Sequence, residues 1–554
     1  MYTNNAEAKQ FSGSPLSPNG RYSLSKDVFI EENYMALVNG SKSDIVGKLG
    51  VSFTAGAQLM QQRRDGINSN AGELEVPNLF SLNNGVNQAS VGQSFAERKI
   101  NSVFGSVGFD YDGILFVDFT GRNDWTSTLS PENRSFFYPS VNGSFVFSEL
   151  FNTSADGWFN FGKIRASYAT VGNDLQPYQL ENVFFIGNDP NNNTTAGTNS
   201  TLNDRNLVNE LIKSAEMGFE ARFFDNRLSL DAAWYRTNAT NQLLAIPLDP
   251  LSGFNSRRVN AGDIENEGFE ITLNADIFRN QNGFSWNTNV NFARNRNRIN
   301  SLIDDVTQFQ LGGFDNVAVL APVGGLYGEI WGTTFRRVED EASPNFGQII
   351  VDGDGLPLAA EGNVASRLGN QQPDALIGWS NTFAYKNWSL GFLVDASLGG
   401  DIFSGTNRFL QRSGNAAVTV IDGDRADFIV DGVTDDGTGN FVTNTTTVAP
   451  QEYWTALANR SGNLGIAEAF IYDATHVRLR NVSINYNLNP KWLKNTGIQS
   501  AKFGLSANNV WMITSNLNGV DPESVFATRS NATGFENLSP PTVRSLFFNV
   551  SLSL

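Results

Sequence analysis

The segment FEITLNADI, residues 269–277, places large apolar side chains at every second position and polar ones between them. The apolar set is Phe269, Ile271, Leu273, Ala275 and Ile277, and the polar set is Glu270, Thr272, Asn274 and Asp276. Successive side chains of a β-strand point to opposite faces, so this pattern predicts a strand with one apolar and one polar face.

The same alternation recurs along the chain, for example in WNTNVNF (286–292) and SLFFNVSLSL (545–554). Abundant Phe favours strands, while abundant Gly and Asn favour turns. The pattern predicts an all-β fold of about fifteen strands. The predicted strands lie near 22–34, 45–62, 95–111, 113–125, 137–149, 160–171, 211–224, 227–243, 264–279, 284–298, 375–386, 388–403, 476–488, 500–514 and 543–554.

The connections between these strands alternate in length. Short ones include 111–113, 223–228, 278–283 and 385–389, and long ones include 172–210, 244–263, 299–374, 404–475 and 515–542. Bacterial outer-membrane barrels have short periplasmic turns and long extracellular loops. We therefore predict a transmembrane antiparallel β-barrel rather than a soluble β-sandwich, in contact with the lipids of the bacterial outer membrane.

Two features of the sequence predict that the chain is part of a larger assembly. Single-chain bacterial barrels have an even number of strands, whereas fifteen is odd, and unpaired backbone in lipid is unfavourable. The first ten residues, MYTNNAEAKQ, have neither the basic nor the apolar region of a signal peptide. We expect a processed chain, a fragment or an internal start, with the missing wall strands supplied by another segment or by a partner chain.

Composition excludes several functions. The 554 residues include no Cys and one His, and the net charge is −17. Thiolate chemistry is therefore absent, a zinc site lacks its usual ligands, and nucleic-acid binding lacks the necessary basic surface. His476 begins the segment HVRLRNVS and is more simply interpreted as a polar residue at a strand end than as a catalytic base. We predict no enzyme activity and no cofactor.

Several segments, in order along the chain, resemble the SusC/RagA family of TonB-dependent transporters. They are GRNDWTSTL (121–129), FFYPSVNGSFVFSE (136–149), KIRASYATVGND (163–174), NAGDIENEGFEITLNA (260–275), YGEIWGTTF (327–335) with VDGDG (351–355), HVRLRNVSINYNLNPKWL (476–493), FGLSANNVWMIT (503–514) and NGVDPES (518–524). The resemblance implies that residues 1–554 are the C-terminal part of a barrel of roughly 22 strands. It also implies that the plug, the TonB box and the first strands are absent from this chain.

This resemblance implies a function and partners. The family imports oligosaccharides or peptides with a SusD-like surface lipoprotein, and its plug receives energy from TonB. The expected function is therefore the barrel wall of such an importer. Two alternatives stay open: a structural or interaction barrel that closes with a partner chain and holds a lipoprotein, and a self-closed passive porin.

Candidate site residues come from three patterns. Asp352 and Asp354 in a Gly-rich turn are a candidate Ca²⁺ site, although an ordinary Asp-Gly turn is the favoured interpretation. Loop aromatics are candidates for contact with a ligand or the lipoprotein, or else for the aromatic girdle at the membrane interface or for loop packing: Trp125, Tyr178, Trp331, Tyr453 and Trp454. Arg478 and Arg480 are expected to point inward and meet the plug, with a β-bulge near Asn481.

Overall fold

The computed structural model describes residues 2–9, 17–151, 157–191, 193–280, 283–303, 306–361, 365–421, 423–460, 462–494, 496–526 and 530–553. Strands dominate these residues, and no helix among them is long and apolar enough to cross a membrane.

The strands, in chain order, are β1 Tyr2–Lys9, β2 Arg21–Val46, β3 Leu49–Glu73, β4 Ser90–Tyr111, β5 Leu115–Thr126, β6 Ser135–Phe145, β7 Phe159–Asn173, β8 Phe184–Asn188, β9 Thr194–Thr198, β10 Thr201–Leu202, β11 Glu210–Phe223, β12 Leu228–Pro247, β13 Ser256–Phe278, β14 Phe284–Ser301, β15 Gln308–Phe314, β16 Val317–Pro322, β17 Glu329–Gly332, β18 Ser366–Asn370, β19 Ala375–Tyr385, β20 Trp388–Leu398, β21 Asp401–Ser404, β22 Phe428–Ile429, β23 Val433–Asp435, β24 Phe441–Thr443, β25 Thr447–Val448, β26 Ile471–Asp473, β27 His476–Asn487, β28 Ser500–Ser515, β29 Phe535–Glu536 and β30 Ser545–Ser553. The α-helices are α1 Gly405–Arg412 and α2 Pro450–Asn459. Short 3₁₀ helices lie at Leu82–Asn84, Phe147–Leu150, Pro250–Ser252, Ala417–Thr419, Ala467–Phe470 and Pro490–Trp492.

Among the described residues the largest sheet has seventeen strands, and its long members pair antiparallel. All fifteen predicted strands belong to it, together with β1 and the two-residue β10, which were not predicted. The segment YTNNAEAK of β1 is polar and lacks the alternation on which the prediction rests. Removing β10 from the seventeen leaves sixteen long strands, so the argument from an odd strand number does not hold.

Two predicted connections also need correction. The turn between β2 and β3 comprises residues 47–48, so residues 35–44 are strand rather than a connection. The predicted loop 244–263 shrinks to residues 248–255, because β12 and β13 extend further. In both places the strands continue through segments without strict alternation, MALV (35–38) and LAIP (244–247) among them, since backbone pairing does not depend on the side-chain pattern.

The short turns 111–113, 223–228 and 385–389 fall where predicted, whereas 278–283 lies partly outside the described residues. The backbones of two of these turns explain their sequences. Between β4 and β5, Asp112 has φ 55° and Gly113 φ 68°. Between β11 and β12, Phe224, Asp225 and Asn226 all have φ 56°. Left-handed backbone of this kind lets a few residues reverse the chain, and Asp, Asn and Gly tolerate it best.

The chain divides into two compact units. The first comprises Met1–Ser144, Ser167–Ser214 and Ala239–Ala261. In it β1 to β5 pair sequentially, and a small apolar cluster forms among the loops around Leu129, Leu175 and Leu207. A separate two-stranded hairpin, β8–β9, carries exposed Phe184, Phe185 and Ile186.

The second unit comprises Phe145–Ala166, Ala215–Asn238 and Gly262–Leu554. Its wall is the series β13, β14, β19, β20, β27, β28 and β30, each paired antiparallel with the next. The register aligns Leu273, Val290, Trp379 and Val394 across four strands, and one position along it aligns Thr272, Asn291, Gly378 and Asp395. The wall therefore has an apolar face and a polar face. The apolar face is uncovered, since Leu273 is 38% and Trp379 is 42% exposed.

The three long connections of the second unit build one hydrophobic core. Val317 and Ile330 come from the connection before β19, Phe403 and Phe470 from that before β27, and Phe535 from that before β30. The rings of Phe403 and Phe535 stack with their centroids 5.4 Å apart. We call this packed set of connections the loop platform. Its core makes the three connections a packed structure rather than independent loops.

Candidate functional site

The connection that carries β29, residues 516–544, is attached to the polar face of the wall by ion pairs. Arg478 on β27 is 3% exposed, and its Nη2 lies 2.5 Å from Asp521 Oδ1. Its Nη1 lies 3.1 Å from a Glu523 carboxylate oxygen and donates to Thr542 Oγ1 at 2.7 Å. We call residues 516–544 the strap.

Arg480 links the strap to a second wall strand. Its guanidinium donates to both oxygens of Asp395 on β20, at 3.1 and 2.6 Å, and to Glu523 at 2.9 Å. His476, which is also buried, has Nε2 3.6 Å from Glu523. Three basic side chains of β27 therefore contact Glu523, which lies at the centre of the cluster.

The charges of this cluster match one another. His476 and Arg480 hold the pKa of Glu523 below its ordinary value of 4.5. Burial raises the pKa of Asp521, but hydrogen bonds from Thr542 and Arg478 outweigh it, so the net shift is downward. Removing one member of such a partly buried set leaves the opposite charge poorly solvated, so the cluster holds the strap in place only when it is complete.

A β-bulge at Arg480 arranges these side chains. Leu479 and Asn481 have register partners on both neighbouring strands, whereas Arg480 is skipped. The extra residue keeps Arg478 and Arg480 beside Asp395 on the polar face and returns Val482 to the apolar face. Both arginines thus lie on the polar face of the wall, and the bulge lies one residue before the predicted position. Contact with a plug stays a prediction.

The aromatic candidates lie in different settings. In the first unit, Trp125 near the end of β5 is 40% exposed, and Tyr178 is 61% exposed with a left-handed φ of 64°. In the second unit, Trp331 on β17 donates from Nε1 to Glu329 at 3.1 Å. Their contact with a ligand or a lipoprotein stays a prediction.

Tyr453 and Trp454 belong to the loop platform. Both lie on α2 and pack against its core, with ring centroids 4.9 Å apart. Phe428 meets Tyr453 edge-on at 5.1 Å. Loop packing, the alternative considered for these residues, accounts for both positions, and ligand contact by either stays a prediction.

The candidate Ca²⁺ residues form a turn. Asp352 Oδ1 accepts hydrogen bonds from the backbone N–H groups of Asp354 and Leu356 at 3.0 and 2.9 Å. Its Oδ2 accepts one from Arg460, the residue that follows α2, at 2.6 Å. No group of three or more His, Asp or Glu residues suited to a metal ion occurs in the described part of the chain. Asp352 therefore acts as a turn cap and ion-pair partner, and calcium binding stays a prediction.

Sequence reasoning missed the acidic half of the strap cluster. Asp521 and Glu523 lie in the family-like segment NGVDPES (518–524), but nothing local shows that they face β27. Asp395 lies 85 positions from Arg480 along the chain. The only indication in the sequence was that Arg478 and Arg480 lie on a polar strand face with no acidic residue in the same strand. A buried guanidinium requires a carboxylate partner, so acidic residues from elsewhere in the chain were to be expected.

Long antiparallel strands with one bare apolar face and one polar face, joined alternately by short turns and long loops, define the wall of an outer-membrane β-barrel. Comparisons with known proteins agree. The family model described as TonB dependent receptor-like, beta-barrel matches residues 1–395. The chain belongs to this family, and its place is the bacterial outer membrane.

Individual relatives and structures extend the match. TonB-dependent receptor P3 of Formosa agariphila is 28% identical over 481 residues, covering 82% of this chain and 46% of that protein. TonB-dependent receptor SusC of Bacteroides thetaiotaomicron is 24% identical over 478 residues, covering 82% and 43%. The RagAB peptide importer in its closed-closed state superposes with a TM-score of 0.76 at 20% identity, covering 100% of this chain and 59% of that one.

These matches confirm the resemblance to SusC/RagA receptors and the β-barrel fold. The chain spans about half the length of the curated relatives it matches. The described wall and loop platform are therefore those of a TonB-dependent receptor barrel.

Proposed function

We propose that this chain is the barrel wall of a SusC-type importer for oligosaccharides or peptides. It works with a SusD-like surface lipoprotein, and a plug, carried by another segment or by a partner chain, couples it to TonB. The observation that carries this proposal is the loop platform. Three connections with a common core present a preformed surface, which lowers the ordering cost of binding a partner.

The strap supports the same proposal. A passive porin needs only an open channel, whereas here 516–544 is tied to the polar wall by Arg478 and Arg480. Fixed charges on this face suit a barrel whose interior holds another folded element. The runner-up function, an interaction barrel without transport, shares the platform and differs in lacking a coupled plug.

The first test is gentle detergent extraction from the native outer membrane, followed by mass spectrometry of the copurifying proteins. We expect a surface lipoprotein to copurify, together with peptides from a plug of the same family. Phe535→Ala, which opens the platform core, should reduce the recovery of lipoprotein. Phe548→Ala, which removes an exposed ring from β30, is the matched control and should not.

Other results would count against the proposal. Extraction of the chain alone, with channel conductance after purification, would favour the passive porin. Recovery of the lipoprotein without any plug-bearing polypeptide would favour the interaction barrel. Growth on glycans or peptides as sole nutrient, compared between the wild type and a deletion strain, then tests uptake directly.

A further inference from the structure

Three arginines, Arg294, Arg296 and Arg298, occupy alternate positions near the end of β14, in the second unit. The register pairs Phe269 with Arg294, so the three arginines continue the apolar face of the wall. All three are exposed, whereas Asn297, on the opposite face between the last two, is buried. We call these three residues the arginine row.

The position of the arginine row along β14 matches the edge of the membrane. Ten residue steps lead from Phe284, the first residue of β14, to Arg294, which is about 34 Å of strand. Outer-membrane strands are tilted by about 40° and carry an apolar band about 25 Å tall, so this length spans the band. Arg296 and Arg298 follow beyond it, before the long connection that leads to β19. Because long connections are extracellular in such barrels, the row belongs at the level of the lipid headgroups of the outer leaflet.

The carboxylates beside the arginine row are engaged by β12. Glu267 lies opposite Arg296 in the register, but it accepts a hydrogen bond from Trp234 Nε1 at 3.0 Å. Glu265 lies opposite the third arginine and accepts a hydrogen bond from Arg236 Nε at 3.0 Å. Within the described part of the chain, no arginine of the row forms an ion pair or a side-chain hydrogen bond. A chain with a net charge of −17 thus keeps three guanidinium groups free at one place on its surface.

We propose that the arginine row binds the phosphate groups of a phosphorylated glycolipid of the outer leaflet, as in lipopolysaccharide. The planar fork of a guanidinium donates two parallel hydrogen bonds to a phosphate. The acyl chains of the same lipid would cover the apolar face next to the row, where Phe269 is 52% and Ile271 is 39% exposed. A free phosphate ion would leave this apolar surface bare, which favours the lipid. Trp234 beside the row agrees with the level of a headgroup, since aromatic girdles mark the membrane interfaces.

The test uses the natural receptor, purified in detergent and washed free of its own lipids. Binding of lipid A, the phosphorylated anchor of lipopolysaccharide, is measured by native mass spectrometry. A basic residue near an anionic membrane contributes about fivefold to binding, so replacing all three arginines by Gln should weaken binding by about a hundredfold. Lipid A whose phosphates have been removed should bind the wild type about as weakly. Replacing the arginines by Lys keeps the charge without the fork, so that affinity should lie between those of the wild type and the Gln variant.

A matched control removes three charges at the opposite end of the wall. Lys386, Lys491 and Lys494 are exposed residues of the short turns that follow β19 and β27. Their replacement by Gln should leave the binding of lipid A unchanged. Equal weakening by this variant would show an effect of total charge and overturn the proposal. If the triple variant of the row fails to fold, Arg294→Gln alone should still weaken binding by about fivefold.

Other results would also overturn the proposal. They are unchanged binding of lipid A after the arginines are replaced, and equal binding of phosphorylated and dephosphorylated lipid. Full displacement of the lipid by millimolar inorganic phosphate would assign the row to free anions, and capture of an acidic protein in place of lipid would assign it to a protein partner. The proposal requires only the outer-membrane location, so none of these results changes the copurification test of the plug and the lipoprotein.

Discussion

Arg480 on β27 donates two parallel hydrogen bonds to Asp395 on β20, from Nε to Oδ1 and from Nη2 to Oδ2. Arg480 is also the bulged residue of its strand, so the irregularity and the contact occur at the same place. Nη1 of the same guanidinium donates to Glu523 of the strap at 2.9 Å and to Asn509 on β28 at 3.0 Å. One side chain therefore joins the three wall strands β20, β27 and β28 to the strap.

Arg480→Ala should loosen the strap while leaving the wall intact. Since Arg480 and Glu523 are both partly exposed, we expect a cost of about 1–2 kcal/mol rather than that of a fully buried pair. Hydrogen exchange measured by mass spectrometry should accelerate in residues 518–526. Arg480→Lys keeps the charge but loses the planar fork of the guanidinium. Its exchange in residues 518–526 should therefore be faster than in the wild type and slower than in Arg480→Ala. Unchanged exchange in both variants would contradict the role of the cluster.

The same arginines test the plug prediction. In the full receptor, the double variant Arg478→Ala with Arg480→Ala should make the plug more sensitive to protease if these residues support its docking. If they serve only the strap, proteolysis should increase within 516–544 and plug protection should stay as in the wild type. That second outcome would remove the plug-facing role.

The strap should be sensitive to acid. The pKa of Glu523 is lowered from 4.5, so its contribution is complete above 4.5 and is lost as the pH falls through the folded-state value. The chain has no Cys, so Asn518→Cys gives one exposed site for a spin label. Label mobility should rise as the pH falls below about 4.5. With Glu523→Gln, the label should be mobile throughout.

The strands could be predicted because their signal is local. Alternation within a segment such as 269–277 follows from the two faces of one strand, whatever its neighbours are. β1 was not predicted because its polar residues form the same backbone hydrogen bonds without the alternation. The β2–β3 turn was misplaced for a related reason, since the alternation is lost after residue 34 whereas β2 continues to Val46.

The sites depend on distant residues, and little in the sequence reports them. Arg478 and Arg480 were identified by residue type, but Glu523 lies 43 positions beyond Arg480. The platform core joins Val317 to Phe535 through connections with no alternation of their own.

Phe535→Ala should disrupt the platform without affecting membrane insertion. Phe535 is 2% exposed and stacks on Phe403, which is fully buried. Loss of a buried Phe ring costs about 3–5 kcal/mol. We expect faster hydrogen exchange around Phe403 and Ile330, with unchanged exchange in β13 and β14. Slowed assembly of the whole wall would show instead that the platform core is needed for the barrel to fold.

Asp352→Ala should weaken the platform whether or not calcium is present. Asp352 caps its own turn through two backbone N–H groups and pairs with Arg460, so its removal leaves all three donors unsatisfied. For this partly exposed pair we expect a loss of about 1–2 kcal/mol, seen as faster exchange in 351–358. Asp354→Asn is the matched control, because the Asp354 carboxylate forms no hydrogen bond or ion pair with the described residues. A turn cap predicts that Asp354→Asn and addition of EDTA both leave the exchange unchanged. A calcium site predicts that Asp354→Asn and EDTA both accelerate the exchange, because a metal bound by the two carboxylates would be lost when either carboxylate is removed.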